Sequence, residues 1–146
     1  MTETEFRVKH SELIGYYQLI EIHLKGICAD LLADKDRGWF ARLDDYETDT
    51  MGKMIQTLRK TQAQKKVEFF SAEDFDALEE LRKRRNFWIH LCFIDYVHVS
   101  FKKGVLKHPE HAKCIIDDLF NAQEWDEKLV EIGRSVSKAK SSAQIL

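Results

Sequence analysis

At 146 residues, the chain has the usual length of one domain and is long enough to bury a hydrophobic core. Hydrophobic residues make up 44% and charged residues 33% of it, a balance that argues against a disordered chain and against a membrane protein. A single proline and six glycines leave few turns for an all-β fold and favour long helices. The formal charge of −2 does not exclude a nucleic-acid partner, because a local basic stripe can coexist with a nearly neutral whole.

The sequence also bears on the cellular compartment. Its longest apolar stretches fall well short of the roughly 20 residues that a transmembrane helix needs. Residues 1–5 are acidic and polar, unlike a secretory signal, so we expect a cytoplasmic protein with no membrane partner. Cys28, Cys92 and Cys114 are odd in number and widely spaced, which argues against a disulfide framework or a CxxC metal site. We expect small, buried cysteine side chains in a reducing compartment.

A long first helix is predicted from Phe6 to about Ala33, where apolar residues recur at three- and four-residue steps. Its inner face comprises Leu13, Ile14, Tyr17, Ile20, Leu24, Ile27 and Leu31. The charged stretch 34–38, which ends in a glycine, interrupts this pattern. We expect residues 39–43 to form a short helix or an apolar plug against the bundle.

A second long segment of helical period lies near the middle of the chain. Asp49 or Thr50 can cap a helix that begins near Met51 and ends near Ala63. Its inner face comprises Met51, Met54, Ile55 and Leu58. Residues 64–66 are polar and are expected to connect this helix to the next element.

Residues 71–74 resemble a capping box and predict the start of a long helix that continues to about Lys102, with Gly104 as its expected stop. Along it, the helical period is kept by Phe75, Leu78, Leu81, Trp88 or Ile89, Cys92 and Tyr96. The three tryptophans of the chain are interpreted as core or dimer-interface residues rather than as platforms for base stacking.

Pro109 suits the first turn of a last helix, which is expected to end between Gly133 and Lys138. Its predicted inward residues are Ile115, Ile116, Leu119, Phe120, Trp125, Leu129 and Ile132. Residues 138–146 are expected to be a flexible tail. The sequence therefore predicts an all-α fold, an up-and-down bundle of four to five antiparallel helices forming one domain over residues 1–146.

The densest group of functional side chains lies in the predicted fourth segment. Between Leu81 and His90 the chain places four basic residues, an amide and a histidine: Arg82, Lys83, Arg84, Arg85, Asn86 and His90. Asn86 and His90 are four residues apart and share a helix face. Arg85 is five residues from His90, about 140° around the helix. This offset suits a groove that the helix lines together with another element or with its twofold mate.

At these residues the chain resembles the HEPN family of small helical ribonucleases and nucleotide-binding domains. The family motif is an Arg, four to six residues and a His, commonly with a polar residue directly after the Arg, and Arg85, Asn86 and His90 match it. Residues 50–58 are similar to the glycine-containing helix that often precedes the motif helix. Some toxin members carry a Tyr two residues after the His as a target of nucleotide transfer by an antitoxin; here that position is Cys92.

The resemblance implies a metal-independent endoribonuclease of toxin or phage-defence type, with Arg85, His90 and Asn86 in the catalytic site. Such cleavage needs a base, an acid and a cation for the charged phosphorane, which His and Arg supply without a cofactor. One histidine per motif is too few for both proton transfers, so we expect a homodimer with a composite site. We expect Arg82, Lys83 and Arg84 to bind the RNA substrate, and an antitoxin protein is a further possible partner.

Two other interpretations stay open. A non-catalytic HEPN-like module would use the same groove to bind a nucleotide or a protein partner, and a plain helical adaptor would carry the motif by coincidence. The basic run from Arg82 to Arg85 could also be a solvated face balanced by Glu79 and Glu80. His108, His111 and Cys114 have helical spacing but offer only three ligands, and we predict no metal site there.

Overall fold

The computed structural model describes residues 1–90, 101–102, 105–106 and 109–142 of the chain. It confirms the predicted all-α bundle. The described elements are α1 (Glu3–Leu32), α2 (Trp39–Asp45), α3 (Met51–Lys65), α4 (Ala72–His90), β1 (Phe101–Lys102), β2 (Val105–Leu106) and α5 (Pro109–Ser141). Within these ranges, no helix combines the length and the apolar character that a bilayer crossing requires.

The long helix α1 forms as predicted and supplies one wall of the core. Thr2 and Glu5 form a capping box at its start, because the Thr2 side chain accepts from the Glu5 backbone and the Glu5 carboxylate accepts from the Thr2 backbone. Of the predicted inner residues, Ile14 is only partly buried, and the others lie in the core. The apolar period therefore located both the helix and its inner face.

Residues 39–43 were predicted to form a short helix or an apolar plug, and the structure confirms the helix and contradicts the plug. Residues 39–45 are helical, but no residue of α2 is buried, so the segment is not an apolar plug. Trp39 is 38% and Phe40 79% exposed. The Trp39 indole nitrogen donates to the Gly26 carbonyl at 3.2 Å, which lays the ring along the outside of α1.

Helix α3 begins at the predicted residue and runs two residues further than expected. Thr50 rather than Asp49 is the cap, since its hydroxyl accepts from the Lys53 backbone at 3.3 Å. The four predicted inner residues are all buried. Lys66, with a φ of 54°, ends the helix in the left-handed region, so residues 64 and 65 belong to the helix and not to the connector.

Helix α4 starts with the predicted capping box. The Asp74 backbone donates to the Ser71 hydroxyl at 3.1 Å, and the Ser71 backbone donates to the Asp74 carboxylate at 2.9 Å. The helix is described as far as His90, and residues 91–100, with Cys92 and Tyr96, lie outside the described residues, as does Gly104.

The prediction that this helix continues to Lys102 is wrong. Phe101 and Lys102 form the strand β1, paired antiparallel with β2. An extended backbone paired across a short connection cannot also make the hydrogen bonds of a helix. Phe101 and Val105 are of residue types that favour strands.

The last helix, α5, begins at Pro109 as predicted and continues to Ser141, beyond the expected end and into the expected tail. Its last turns are tied to the end of α1: the Lys140 ammonium donates to the carbonyls of Asp30 and Ala33, and the Ser137 hydroxyl donates to the Asp30 carboxylate at 2.7 Å. These long-range contacts keep residues 138–141 helical. Residues 143–146 lie outside the described residues.

Two of the residues predicted to face inward along α5 face outward. Ile116 is 47% and Phe120 62% exposed, whereas Ile115 and Leu119, one position earlier, are buried. A step of one residue turns a helix by about 100°, which takes the side chain out of the core. The inward prediction is correct for Trp125, Leu129 and Ile132.

Contacts between the helices fix their directions. The first and last helices run parallel, with contacts between His23 and Asp126, Ile27 and Gly133, and Asp30 and Ser137. Helix α4 runs against α5, with contacts from Asp74 to Lys128 and from Arg84 to Asp118. It also runs against α3, with contacts from Arg82 to Gly52 and from Phe75 to Arg59. Helix α4 therefore lies between α3 and α5, and its basic segment is bordered by both.

Candidate functional site

The basic segment of α4 presents different side chains to different neighbours. Arg82, Asn86 and His90 follow one another at four-residue intervals and fall on one row of the helix. Arg85 lies on the flank of this row and reaches α1, and Arg84 lies on the opposite side of α4 and reaches α5. The six functional residues of this one segment therefore lie on different sides of α4.

Arg85 is held in a partly buried position between α4 and α1. Its side chain is 22% exposed, and one guanidinium nitrogen donates to the Asn86 side-chain oxygen at 3.2 Å. Another lies 3.5 Å from the Glu21 carboxylate, which is also 3.8 Å from the Lys25 ammonium. Asn86 therefore holds one guanidinium nitrogen of Arg85, and Glu21 supplies a counter-charge.

His90 is exposed at the end of the described part of α4. It lies five residues beyond Arg85, and the helical phase places the two side chains on different sides of α4. Arg85 and His90 of a single α4 therefore do not lie on the same helix face. The predicted offset between them is present in the structure.

Arg82 and Lys83 form ion pairs with acidic residues of their own helix, whereas Arg84 and Arg85 reach other helices. Arg82 pairs with Glu79 at 3.0 Å and is 32% exposed, and Lys83 pairs with Glu80 at 2.9 Å and is 61% exposed. Both pairs join residues three apart at a hydrated surface, where an ion pair is weak and a phosphate can compete for the cation. Their predicted contact with RNA is compatible with this placement.

Gly52 of α3 packs directly against Arg82. A β-carbon built on Gly52 would lie 3.0 Å from the Arg82 side-chain Cδ. A larger residue at this position would have to displace the Arg82 stem. This close approach gives a local reason for a glycine in the helix that precedes the motif.

Arg84 has a packing role that differs from its predicted contact with RNA. It donates to the Asp118 carboxylate at 2.8 Å and to the Cys114 sulfur at 2.8 Å, and it lies over the Phe87 ring at 4.8 Å. Burial alone would lower the pKa of Arg84, but the hydrogen bond and charge of Asp118 raise it. The arginine is therefore a fixed cation between α4 and α5.

Asp118 completes this contact and was not singled out in the sequence. Its carboxylate also accepts from the Trp88 indole nitrogen at 2.6 Å, so one oxygen joins two residues of α4 to α5. Burial, followed by the charge of Asp118, raises the pKa of the neighbouring Tyr17 hydroxyl. Burial also raises the pKa of the Cys114 thiol, which argues against a reactive thiolate there.

His10 is a second residue that sequence reasoning missed. It is 6% exposed, and its Nε2 donates to the Trp88 carbonyl at 3.0 Å, which ties α1 to the motif helix two residues before His90. A signal for it exists, because His10 lies four residues after Phe6 and three before Leu13, on the inner row of α1. Glu21 and Asp118 gave no such signal, since their partners are 64 and 34 residues away in the chain.

The described residues contain no group of three or more His, Cys, Asp or Glu side chains arranged to hold a metal ion. His108 and the side chain of His111 lie outside the described part of the chain. The chain matches no family model, and comparison with curated proteins and with solved structures likewise gives no match.

Proposed function

We propose that the chain is a metal-independent endoribonuclease of toxin or phage-defence type, acting as a homodimer with a composite Arg/His site. One observation supports this above the others: Arg85 is oriented by Asn86 at 3.2 Å, and the same helix exposes His90. A planar, permanently charged guanidinium and an accessible imidazole are the two groups that RNA cleavage by transesterification requires.

In the proposed reaction, a His90 imidazole takes the proton of the 2′-hydroxyl, and the 2′-oxygen attacks the adjacent phosphorus. The bond from phosphorus to the 5′-oxygen breaks, and the leaving oxygen takes a proton from an imidazolium. The products are a 2′,3′-cyclic phosphate and a free 5′-hydroxyl. Arg85 stabilises the extra negative charge of the phosphorane through two parallel hydrogen bonds. Arg82 and Lys83 contribute contacts to flanking phosphates.

The homodimer follows from the need for two proton transfers. One chain offers one His90, whereas two apposed α4 helices would offer a base and an acid on opposite sides of the phosphate. The offset of Arg85 from His90 around α4 also suits a site shared between copies. Light scattering at micromolar concentration should give twice the chain mass, and a strictly monomeric protein that cleaves RNA would contradict the composite site.

The activity is tested with purified chain, RNA and a chelator. Wild type should release fragments with 2′,3′-cyclic phosphate ends, and His90→Ala should cleave about 10² to 10⁴ times more slowly, the usual effect of a lost acid or base. The exposed His90 makes loss of folding an unexpected outcome, and circular dichroism checks it. Full activity in a folded His90→Ala dimer, or an absolute need for a divalent metal, would refute the proposal.

A non-catalytic module that binds a nucleotide or a protein partner is the second candidate. The position of Glu21 favours it, since a carboxylate 3.5 Å from Arg85 occupies part of the guanidinium that a scissile phosphate would need. Such a module would bind its nucleotide or protein partner in the same groove and would leave RNA intact. Calorimetric titration with AMP and ATP, together with an unchanged RNA substrate, would establish this alternative.

A further inference from the structure

Helix α3 differs in charge from every other described helix. It contains no Asp or Glu, although the chain has 25 acidic residues, and it carries Lys53, Arg59, Lys60 and Lys65. Lys66 adds a fifth basic residue at its cap. In a protein of net charge −2, this concentration makes α3 a local basic element.

The polar side of α3 faces solvent. Lys53, Gln56, Arg59 and Lys60 are exposed, while Met54, Ile55 and Leu58 are buried beneath them. We call these four exposed residues the α3 strip. They span about 10 Å along the helix axis, at 1.5 Å per residue. Basic and amide side chains of this kind are the ones that contact phosphate oxygens without reading base sequence.

The carboxylates near the α3 strip have partners or lie at its end. Asp49 is 3.0 Å from Lys53, and Glu79 is 3.0 Å from Arg82. A groove of about 500 Å³ beside the strip is lined by Ile55, Gln56, Arg59, Lys60, Ala63 and Glu79. The next groove, past Arg59, includes Glu68 and Asp76, and these two acids mark where the basic surface stops.

The α3 strip begins beside the motif. Gly52 is in contact with Arg82, and Arg82 starts the row of α4 that continues to Asn86 and His90. Because α3 and α4 run antiparallel, the strip leads away from His90. A chain bound at the motif would therefore meet Arg82 first and the strip next.

We propose that the α3 strip and Arg82 bind the phosphate backbone of single-stranded RNA on one side of the scissile phosphate. This inference rests on the proposed function and adds the substrate class, a single strand several nucleotides long rather than a dinucleotide. Binding is electrostatic and independent of base sequence, because the strip offers charge and amide groups without an exposed aromatic ring.

The test uses Arg59→Gln/Lys60→Gln in a His90→Ala background, so that RNA is bound and not cut. Fluorescence anisotropy compares a labelled twelve-nucleotide strand with a dinucleotide over a range of salt concentrations. For the long strand, the variant should bind about tenfold more weakly, and the slope of log affinity against log salt should flatten by about 1.4, or 0.7 per lost contact. Dinucleotide binding should be unchanged. Arg134→Gln/Lys138→Gln, which removes two exposed charges from α5, is the matched control and should change neither.

Three results would overturn the inference, and they are distinguishable. If the variant binds the long strand as tightly as the parent does, the α3 strip does not bind the RNA backbone. The proposed function would still hold if wild type cleaves RNA in a reaction that depends on His90. If binding of both ligands falls equally, the substitutions act on the motif itself. If the parent binds no single strand but retains an acidic peptide through α3, the partner of this surface is a protein and the inference fails. Whether wild type cleaves RNA through His90 then decides the proposed function separately.

Discussion

Arg84 and Arg85 are neighbours in the sequence and have different surroundings in the fold. Arg84 is fixed by Asp118 on α5 at 2.8 Å and packs over Phe87, whereas Arg85 is held by Asn86 and borders Glu21 on α1. A rotation of about 100° between consecutive residues produces this difference. The side of α4 that carries Arg84 therefore packs against α5, and the side that carries Arg85 contains the candidate site. Substitutions on the two sides of α4 should therefore have separable effects on stability and on cleavage.

The largest expected effect on stability is at Asp118. Asp118→Ala removes the acceptor of both Trp88 and Arg84 and should lower the free energy of unfolding by about 2 to 3 kcal/mol. The figure is below that of a fully buried pair because Arg84 is 36% exposed. Urea unfolding measures it. Asp117→Ala is the control, since its pair with Lys113 is exposed and solvent screening should leave the stability nearly unchanged. Equal effects of both substitutions would contradict the packing role of Asp118.

The next effect concerns the other side of α4. Arg85→Lys keeps the charge but loses the planar fork, so cleavage under single-turnover conditions should fall about 10- to 100-fold. Unfolding free energy should change by less than about 1 kcal/mol, because the pair with Glu21 is long. A lysine variant that cleaves as the wild type does would show that only charge is needed.

A smaller effect is expected at the start of α4. Burial alone would raise the pKa of Asp74, but hydrogen bonds from Lys128 and the Ser71 backbone lower it. A carboxyl with a lowered folded-state pKa adds stability above its unfolded-state pKa and loses it as pH falls through the folded value. Asp74→Asn should therefore cost about 1 kcal/mol near neutral pH and progressively less below about pH 4. A difference that stays constant down to pH 2 would contradict a charged Asp74 cap.

The smallest effect is expected at Gly52. Gly52→Ala adds helix propensity of up to about 1 kcal/mol but pushes against the Arg82 stem at 3.0 Å. These two effects oppose each other, so stability should change by less than about 1 kcal/mol while RNA affinity falls a few-fold. Gln64→Ala, at an exposed position of the same helix outside the α3 strip, is the control. If Gly52→Ala left the RNA affinity unchanged, this would contradict a role of Arg82 in RNA binding.

Local sequence patterns located most of the fold. The capping box at Ser71 and Asp74, the cap at Thr50 and the start of α5 at Pro109 depend on residues within a few positions of one another. The outward-facing Ile116 and Phe120 show the limit of such patterns, because four apolar residues in adjacent pairs define two possible helix faces. The end of α5 was missed because contacts with α1, more than 100 residues away, hold it.

The candidate site was predicted less completely than the fold. The sequence grouped Arg82, Lys83 and Arg84 as RNA contacts, since all three are basic and adjacent. Asp118 separates Arg84 from the other two through a contact across 34 residues, which no local pattern encodes. The contact between Arg85 and Asn86 joins adjacent residues, so it lies within the segment that the sequence singled out. Long-range carboxylates therefore set the surroundings of Arg84 and Arg85, which the sequence alone does not distinguish.

The central claim is that Arg84 stabilises the bundle while Arg85 acts in the candidate site. The most direct test compares Arg84→Ala with Arg85→Ala in two assays, urea unfolding and RNA cleavage in chelator. Arg84→Ala should lose about 1 to 2 kcal/mol of unfolding free energy, because its contacts with Asp118, Cys114 and Phe87 are removed. It should keep cleavage within a few-fold of wild type, because Arg85 and His90 are unchanged. Arg85→Ala should keep stability within about 1 kcal/mol and lose cleavage at least 100-fold. Equal cleavage by wild type and a folded Arg85→Ala, or a cleavage loss in Arg84→Ala as large as that in Arg85→Ala, would contradict the account.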